Sequence, residues 1–340
     1  MSEVFVAGIG AVSPAGWGVE HLCQAVARDE PIPPAQLIRP GWDVLLRARQ
    51  VPPPQPRPAF LAHPRLRRTS PIAQFAVGAA LEALGEDATR VSGGSRRLGL
   101  ILCVMTGCVI YSRRFYDEVW KAPATASPLV FPETVFNSPA SHLAALLGTA
   151  AINYTLVGDP GTFLQGLALA ADWLASGHVE GCLVVGAEEG DWLLADAFRH
   201  FARRVILGEG AGAVHLRRAP VGRATVRLQA ITSPHLFLPD QPRIAAAQKM
   251  RTELGPCQSG DLLVGGTQDC PRYDAAELAA WRDWAGPRLV PKRVLGEGLS
   301  AASAWQCVLA IDALQQGRCR AATVSVVGCN QQAIGARFAI

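Results

Sequence analysis

Short, uninterrupted apolar runs alternate with longer amphipathic segments along most of this 340-residue chain. Runs rich in Val, Leu, Ile and Cys are typical of strands buried on both faces, whereas apolar residues spaced three and four apart indicate helices. The pattern predicts strands at 4–6, 98–105, 152–157, 181–186, 211–216, 225–231, 261–264 and 323–327. It predicts helices at 19–27, 71–84, 141–147, 164–176, 244–252, 274–284 and 300–316. This alternation indicates an α/β fold whose sheets carry helices on both faces.

Proline and glycine mark several boundaries between these predicted elements. Ser70 and Pro71 are typical of a helix N-cap and a first helical position, and Gly317 is typical of a residue that ends a helix. The Pro-rich stretch 31–58 is too interrupted for regular structure, so we expect an irregular surface excursion there.

The chain is long enough for two domains or for one fold of two similar halves. The order of predicted elements is roughly repeated on either side of a linker at 217–220, although no sequence repeat is visible. We therefore expect an N-terminal half at 1–217 and a C-terminal half at 218–340.

Composition excludes several classes of protein. Hydrophobic residues make up 49% and charged residues 18%, which favours a large buried core over disorder. The net charge of +4 is modest and accompanies no nucleic-acid-binding motif. Nine cysteines lack paired or CxxC spacing, and neither a signal-like segment nor a membrane-length apolar run is visible. We expect a reduced, cytoplasmic protein without a metal or cofactor.

Four motifs in order carry a resemblance to a known family. They are Val6-Ala-Gly-Ile-Gly-Ala-Val-Ser-Pro-Ala-Gly16, Phe131-Pro-Glu-Thr-Val-Phe-Asn-Ser-Pro-Ala140, Val184-Val-Gly-Ala-Glu-Glu189 and Leu207-Gly-Glu-Gly-Ala-Gly-Ala-Val214. Each is weak alone, but their order over the whole chain resembles the β-ketoacyl synthases of the thiolase superfamily. The resemblance implies an α/β, thiolase-like fold: two similar βαβ-rich halves in five αβαβα layers, paired as a dimer.

The family's catalytic positions hold other residues in this chain. The resemblance places the nucleophilic cysteine at Phe163, before a retained Gly166-Leu167, and its first histidine at Gly265 or Gly266. The second histidine belongs at Glu297, in a segment that keeps the family's lysine, Lys292. A phenyl ring cannot attack or hold an acyl group, and we interpret Phe163 as an aromatic that fills a core pocket.

A count of histidines supports the same conclusion without the family. The seven histidines all lie at or before His235, so the C-terminal half cannot supply the two imidazoles needed for decarboxylation and enolate stabilisation. The family's gating loop remains only as 327–330. We therefore expect no residues that catalyse condensation, and we expect the isolated chain not to act as an enzyme.

Inactive relatives of this family suggest a role. The chain resembles the chain-length factors of type II polyketide and fatty-acid systems, which pair with an active ketosynthase and shape its acyl tunnel. The familiar factors carry glutamine at the cysteine position, whereas this chain has Phe163, with Gln165 two residues later. The resemblance implies two partners: an active ketosynthase and an acyl chain bound to acyl carrier protein. It implies contact with neither nucleic acid nor a membrane span.

The same resemblance indicates which residues line the partner's tunnel. The segment 108–120, read as a helix, places Cys108, Tyr111, Phe115 and Val119 on one face. Bulk on that face is expected to shorten the cavity. Ordinary interface packing is an equally good interpretation of these residues.

Two further functions stay open from the sequence. The chain could be a diverged condensing or acyl-transfer enzyme that uses Glu297 or Asp269, or a structural homodimer that binds acyl carrier protein. Two structural expectations accompany them. Glu297 pairs with Lys292 or an arginine, and acidic residues at strand ends brace loops through backbone amides; the latter are Glu188, Glu189, Asp191 and Glu209.

Overall fold

We describe a computed structural model of the chain. The structure describes residues 3–92, 97–149, 152–220 and 225–340. Among these residues, no helix is long and apolar enough to cross a membrane.

The described residues form fifteen strands. They are β1 Phe5–Ser13, β2 Gly16–Trp17, β3 Ala35–Leu37, β4 Leu46–Arg49, β5 Leu98–Val104, β6 Asn153–Val157, β7 Gly181–Glu188, β8 Leu207–Gly208, β9 Gly210–Arg217, β10 Arg227–Ile231, β11 His235–Leu236, β12 Leu262–Val264, β13 Arg288–Leu289, β14 Ala321–Val327 and β15 Gln332–Ala339.

Eleven α-helices accompany them in the described part of the chain. They are α1 Val19–Arg28, α2 Pro71–Leu84, α3 Asp87–Ser92, α4 Val109–Lys121, α5 Ser138–Leu147, α6 Thr162–Ala175, α7 Trp192–Phe201, α8 Arg243–Leu254, α9 Pro271–Ala280, α10 Pro291–Leu295 and α11 Ser300–Gln315. Short 3-10 helices lie at Ala59–Ala62, Pro123–Thr125 and Phe131–Glu133.

Most strands belong to one mixed sheet. Its order is β13-β12-β14-β15-β10-β1-β9-β7-β5-β6, with β11 beside β15 and β2 beside β1. The inner strands β5, β7 and β9 are buried along their whole length. Such strands need cover on both faces, and their near-continuous Val, Leu and Cys content is what the sequence pattern detected.

The sheet doubles back around two central helices. Helices α6 and α11 contact strands from both ends of the sheet order, so they lie between its two parts. Helices α2 and α5 cover one outer face, and α8 and α9 cover the other. The result is the five-layered αβαβα arrangement of a thiolase-like fold, as the sequence predicts.

Close contact between layers depends on small residues. A methyl group on Gly10 of β1 would lie 2.0 Å from the carbonyl oxygen of Ala79 in α2, so only glycine permits this approach. Helix α11 is buried at nearly every position, and Ala and Ser occupy seven of its 16 positions. Its Trp305 donates its indole N–H to the carbonyl oxygens of Val12 and Ala211, which satisfies this fully buried polar group.

The structure corrects three sequence-based expectations. The excursion 31–58 is not wholly irregular, because β3 and β4 form a small sheet with β8. The strand at 323–327 is not the last one, since β15 follows and pairs with β14 and β10. The helix expected at 274–284 begins and ends earlier, as α9.

Two of these corrections have a local physical cause. Strand β15 contains Gly335 and several alanines, which are poor strand formers, and it is recognisable only through its pairing on both sides. The first turn of α9 contains Pro271, which is well placed there because the first helical amide needs no partner. The division into halves at 217–220 stays a prediction.

Candidate functional site

The first turn of α6 lies at the centre of the molecule, and Phe163 is fully buried in it. A methyl group on Gly186 of β7 would lie 2.9 Å from Cδ2 of Phe163 and 3.0 Å from Cβ of Ala304 in α11. The phenyl ring therefore occupies space that Gly186 leaves open between α6, β7 and α11. This placement agrees with an aromatic residue that fills a core pocket.

Gly265 and Gly266 follow β12 and lie close to the buried carboxylate of Glu277. The backbone N–H of Gly266 donates to both carboxylate oxygens of Glu277, at 3.1 and 2.9 Å. A methyl group on Gly266 would lie 3.6 Å from Nζ of Lys292. The loop where the family resemblance places the first histidine thus faces a buried lysine and a buried glutamate.

Glu297 forms the ion pair that the sequence led us to expect. Its Oε2 lies 2.8 Å from Nζ of Lys292, and the two side chains are only 2% and 3% exposed. Its Oε1 accepts the backbone N–H of Leu299, and Gln268 donates to its Oε2. Both carboxylate oxygens therefore already accept hydrogen bonds, and the group is not free to act as a general base.

The electrostatics of this cluster favour a fixed charge pair. Burial lowers the pKa of Lys292, but the opposite charges of Glu297 and Glu277 outweigh burial, so the pKa is raised and the lysine stays protonated. Burial raises the pKa of Glu277, even though the hydroxyl of Ser325 and the amide of Gly266 stabilise its charge. A protonated lysine matched by Glu297 leaves no neutral amine for proton abstraction.

Cys329 is the thiol that faces this cluster. Burial and the charge of Glu297 raise its pKa well above the usual range, and the opposing effect of Lys292 does not compensate. The thiolate, and not the thiol, is the nucleophile, so Cys329 is poorly suited to covalent catalysis at neutral pH.

The loop 327–330, which the family resemblance identifies with the gate, is held on both sides. The buried carboxylate of Asp159 accepts the backbone N–H groups of Cys329, Gln331 and Gln332, at 2.7, 3.1 and 3.1 Å. On the other side, the guanidinium of Arg243 donates to the carbonyl oxygens of Gly328 and Cys329, at 2.7 and 2.5 Å. We call these contacts the Asp159–Arg243 clamp.

The sequence did not identify either residue of the clamp. Asp159 precedes α6 by three residues, where an acid at a strand-to-helix turn was a usable signal. Arg243 begins α8 and lies far from the loop in sequence, so no local pattern could have found it.

The acidic residues at the strand ends brace loops, as expected. Glu188 accepts the backbone N–H of Met105 and of Thr106. Glu189 accepts the N–H of Ile72 and of Ile110, in the first turns of α2 and α4. Burial raises the pKa of both glutamates to about 7.

The other two acids have similar roles. Glu209 accepts the backbone N–H groups of Val51 and Gly190. Asp191 caps α7 through the N–H of Leu193 and pairs with Arg113. Among the described residues, no group of three or more His, Cys, Asp or Glu side chains could hold a metal ion.

The residues that the resemblance assigns to the partner's tunnel lie on or just before α4, and several of them contact their own chain. Cys108 precedes the helix and is buried, and the hydroxyl of Tyr111 donates to the carbonyl oxygen of Arg68 at 2.6 Å. The Phe115 ring packs on Phe131, with 5.4 Å between centroids. Val119 is half-buried on the last turn.

The remaining sequence candidates lie apart from the buried cluster. Asp269 is exposed and has a positive φ of 59°. Gln165, two residues beyond Phe163, accepts a hydrogen bond from the side chain of Gln332 at 3.3 Å. The structure therefore brings Gly266, Lys292 and Glu297 together around one buried ion pair. Phe163 fills a separate pocket between α6, β7 and α11, Asp269 is exposed, and Gln165 contacts Gln332 instead.

Comparison with known proteins supports the fold. No protein-family model and no curated protein matches the sequence. A β-ketoacyl synthase from Burkholderia phymatum STM815 matches with a TM-score of 0.81 and 16% identity, over 100% of this chain and 99% of that one. The ishigamide ketosynthase/chain length factor matches with a TM-score of 0.78 and 20% identity, over 99% of both chains.

A third match has the same extent. It is AntDE:AntF, a type II PKS acyl-carrier protein in complex with its ketosynthase, with a TM-score of 0.78 and 16% identity over 99% of both chains. Structural matches at identities this low establish the fold and leave the activity of this chain open. The chain has the thiolase-like fold of the β-ketoacyl synthases, as the sequence resemblance predicts.

Removal of the Phe163 ring should destabilise the protein strongly. We expect Phe163→Ala to lower the free energy of unfolding by about 3–5 kcal/mol, because the cavity lies in a close-packed core. Phe163→Cys should release no carbon dioxide from a malonyl thioester, since no imidazole supports the thiol. Denaturant unfolding and headspace analysis measure the two results.

Phe201, which is 69% exposed, provides the control for the Phe163 variants. Phe201→Ala should change stability by less than about 0.5 kcal/mol. A Phe163→Ala loss as small as this, or decarboxylation by Phe163→Cys, would contradict our assignment.

The Lys292–Glu297 pair should show strong coupling. Lys292→Met or Glu297→Gln alone should cost about 3–5 kcal/mol, because each leaves a buried polar group without its partner. The double variant should cost less than the sum, with a coupling energy of about 1–3 kcal/mol. Chemical denaturation of the four proteins gives this value.

A surface pair offers the matched comparison. Arg97 and Glu180 lie 3.8 Å apart with side chains 65% and 51% exposed. Their coupling should stay below about 1 kcal/mol. Equal coupling in the two cycles would show that burial does not strengthen the Lys292–Glu297 interaction.

Proposed function

We propose that this chain is a non-catalytic, chain-length-factor-like subunit that pairs with an active ketosynthase and shapes its acyl or polyketide tunnel. The observation that carries the proposal is the contrast at the centre of the molecule. The ketosynthase fold is intact, but the family resemblance places the nucleophile at the fully buried Phe163. It places a histidine at Glu297, which belongs to a buried ion pair. We expect a chain that keeps this fold without the catalytic residues to contribute a partner surface and part of the tunnel wall.

Similar structures support a partnership. One of the matching structures is titled a ketosynthase/chain length factor, and another holds an acyl-carrier protein with its ketosynthase. We propose the same kinds of partner here: an active ketosynthase beside this chain, and an acyl chain delivered on acyl carrier protein.

The edge strand β6 is a suitable surface for pairing. Among the described residues, β6 forms strand pairing with β5 alone, so its other side is available for hydrogen bonds. Tyr154 and Val157 on this strand are 53% and 52% exposed. An open edge with apolar side chains is a liability for a monomer, because it can pair with another chain.

Further apolar residues are exposed on and after α4. Trp120 and Leu129 are 79% and 78% exposed, and Phe131 is 55% exposed. Tyr116 stacks on Trp120, with 6.3 Å between ring centroids. Clusters of large exposed apolar side chains mark protein interaction sites. We propose that this surface contacts the partner, with the Phe115–Phe131 pair near the tunnel wall.

The proposal predicts a stable complex with an intact ketosynthase. When the chain is co-expressed with a Cys-His-His ketosynthase encoded beside it, the two should elute together in size-exclusion chromatography at equal stoichiometry. Val157→Asp should reduce the recovered complex at least tenfold, because the charge would be buried at the paired edge. The isolated chain should release no carbon dioxide from malonyl thioesters.

Leu278 on α9 tests whether a surface charge alone weakens the complex. Its exposed fraction of 49% is similar to the 52% of Val157, but Leu278 lies on another face of the molecule. Leu278→Asp should leave the complex yield unchanged. Separate elution of the wild-type chains, or elongation of a primed substrate by this chain alone, would refute the proposed function.

The tunnel hypothesis predicts a shift in product length. With the partner present, Phe115→Ala should move the product distribution toward longer chains, because it removes bulk from the proposed wall. Mass spectrometry of products at matched complex yield gives the distribution. Phe201→Ala removes an exposed ring at the end of α7, outside the α4 surface, and should not change the length. An unchanged distribution for Phe115→Ala would exclude Phe115 as a length determinant.

A further inference from the structure

The hairpin formed by β3 and β4 ends in an exposed loop that carries large apolar side chains. The two strands pair antiparallel, and the segment 38–45 connects them. Every residue from 40 to 45 is exposed. Ile38 is 78% exposed, Leu45 is 51% exposed, and Trp42 is exposed beside them. These side chains face solvent, although each would be more stable out of water.

Stacked arginine and tryptophan side chains hold this loop against α7. The guanidinium carbon of Arg39 lies 3.5 Å from the ring centroid of Trp42 and 4.9 Å from that of Trp192 in α7. Arg39 also donates to a carboxylate oxygen of Asp196 at 2.7 Å. The guanidinium carbon of Arg199 lies 5.3 Å from the centroid of Trp42. Because cation–π contacts and an ion pair fix the loop, its exposed apolar side chains keep one arrangement in the free chain.

A cleft of about 200 Å³ lies between β4 and the C-terminal half of α7. Its apolar lining includes Leu46, Phe198 and Leu207, which belong to a small hydrophobic cluster under the hairpin. Arg47 and Arg203 line the same cleft and are exposed. Cationic side chains therefore lie directly beside the apolar residues of the hairpin.

Basic residues outnumber acidic residues in this region. We call the segments 38–47 and 192–206 together the hairpin surface. Its charged residues are five arginines and two aspartates: Arg39, Arg47, Arg199, Arg203, Arg204, Asp43 and Asp196. By contrast, the segment 109–136, which contains α4 and the rings that we assign to the ketosynthase contact, has three basic and three acidic residues. The two exposed apolar regions therefore differ in charge, and the hairpin surface suits an anionic partner.

The placement of the apolar residues favours a lipid bilayer as this partner. Ile38, Trp42 and Leu45 lie on one exposed loop, which can enter a deformable hydrocarbon boundary without a matching groove. Tryptophan and leucine beside arginine are typical of surfaces that lie in the interface of a membrane. There the rings occupy the boundary, while the long arginine side chains reach the phosphates.

We propose that the hairpin surface binds an anionic lipid bilayer, with Ile38, Trp42 and Leu45 entering the headgroup boundary and Arg47 and Arg203 pairing with lipid phosphates. The inference goes beyond the proposed function, because it needs no ketosynthase and uses residues outside β6 and α4. Peripheral contact of this kind would hold the chain, and any subunit bound to it, at a membrane surface.

Flotation of lipid vesicles on a density gradient tests the proposal, because aggregated protein sinks and bound protein rises. The full chain should float with vesicles of two thirds phosphatidylcholine and one third phosphatidylglycerol. It should stay at the bottom with vesicles of phosphatidylcholine alone, which carry no net charge. Added salt should reduce flotation, since it screens the arginines from the lipid phosphates. Equal flotation with both kinds of vesicle would overturn the proposal.

A charge on the apolar loop should weaken binding. Leu45→Asp should reduce the bound fraction about tenfold, because it removes an apolar side chain from the boundary and adds a negative charge there. Leu238→Asp is the matched control: Leu238 is 48% exposed, follows β11 and lies outside the hairpin surface. The control should float as the wild type does.

Loss of the arginines should have a similar effect. The double variant Arg47→Gln/Arg203→Gln should bind about tenfold more weakly, through loss of two cations at the lipid surface. Arg28→Gln/Arg282→Gln removes the same charge from exposed positions elsewhere and should float as the wild type does. Thermal unfolding of each variant confirms that it is folded.

The outcomes separate this inference from the proposed function. Variants of the hairpin surface that float as well as their controls would overturn the lipid assignment. Capture of an acidic protein through Arg47 and Arg203, without flotation, would overturn it as well. A ketosynthase complex that does not float would refute lipid binding and leave the subunit role intact. Flotation of a chain that forms no complex would support lipid binding and refute the subunit role.

Discussion

The packing of α6 and α11 between the two parts of the sheet is the constraint on which this structure depends. Both helices must present small residues to their neighbours, and Gly166, Gly186 and Ala304 allow the elements to approach closely. Within that frame, the first turn of α6 has room for one large side chain. Phe163 takes this space, and the centre becomes part of the hydrophobic core instead of a cleft.

Structural contacts hold the buried groups near Glu297 and Gly266 in place. Lys292 would be costly to bury alone, and Glu297 supplies the opposite charge in the same buried region. A side chain at position 266 would contact Glu277 and Lys292 from its first carbon, and Glu277 holds the glycine by its backbone N–H. The Lys292–Glu297 pair therefore keeps both groups charged and hydrogen-bonded inside the protein.

The sequence predicted the architecture well because the buried strands are almost purely apolar and Ser70, Pro71 and Gly317 mark helix ends clearly. It also led to the Lys292–Glu297 pair, since the two residues are close in sequence and opposite in charge. Strand β15 escaped notice because its glycine and alanines have little strand preference. The contacts of Arg243 with Cys329 and of Gln332 with Gln165 could not be predicted, because each joins segments that are distant in sequence.

The Asp159–Arg243 clamp has a consequence for motion. If the loop swung outward, a buried carboxylate would lose three amide donors and a guanidinium would lose two acceptors in the same step. All of these groups would need water as a replacement hydrogen-bond partner at the same time. Partly open positions of the loop therefore gain no free energy, and we expect the open arrangement to be rarely populated. The loop is therefore a fixed part of the molecular wall, and passage of a ligand beneath it would require both sets of hydrogen bonds to break together.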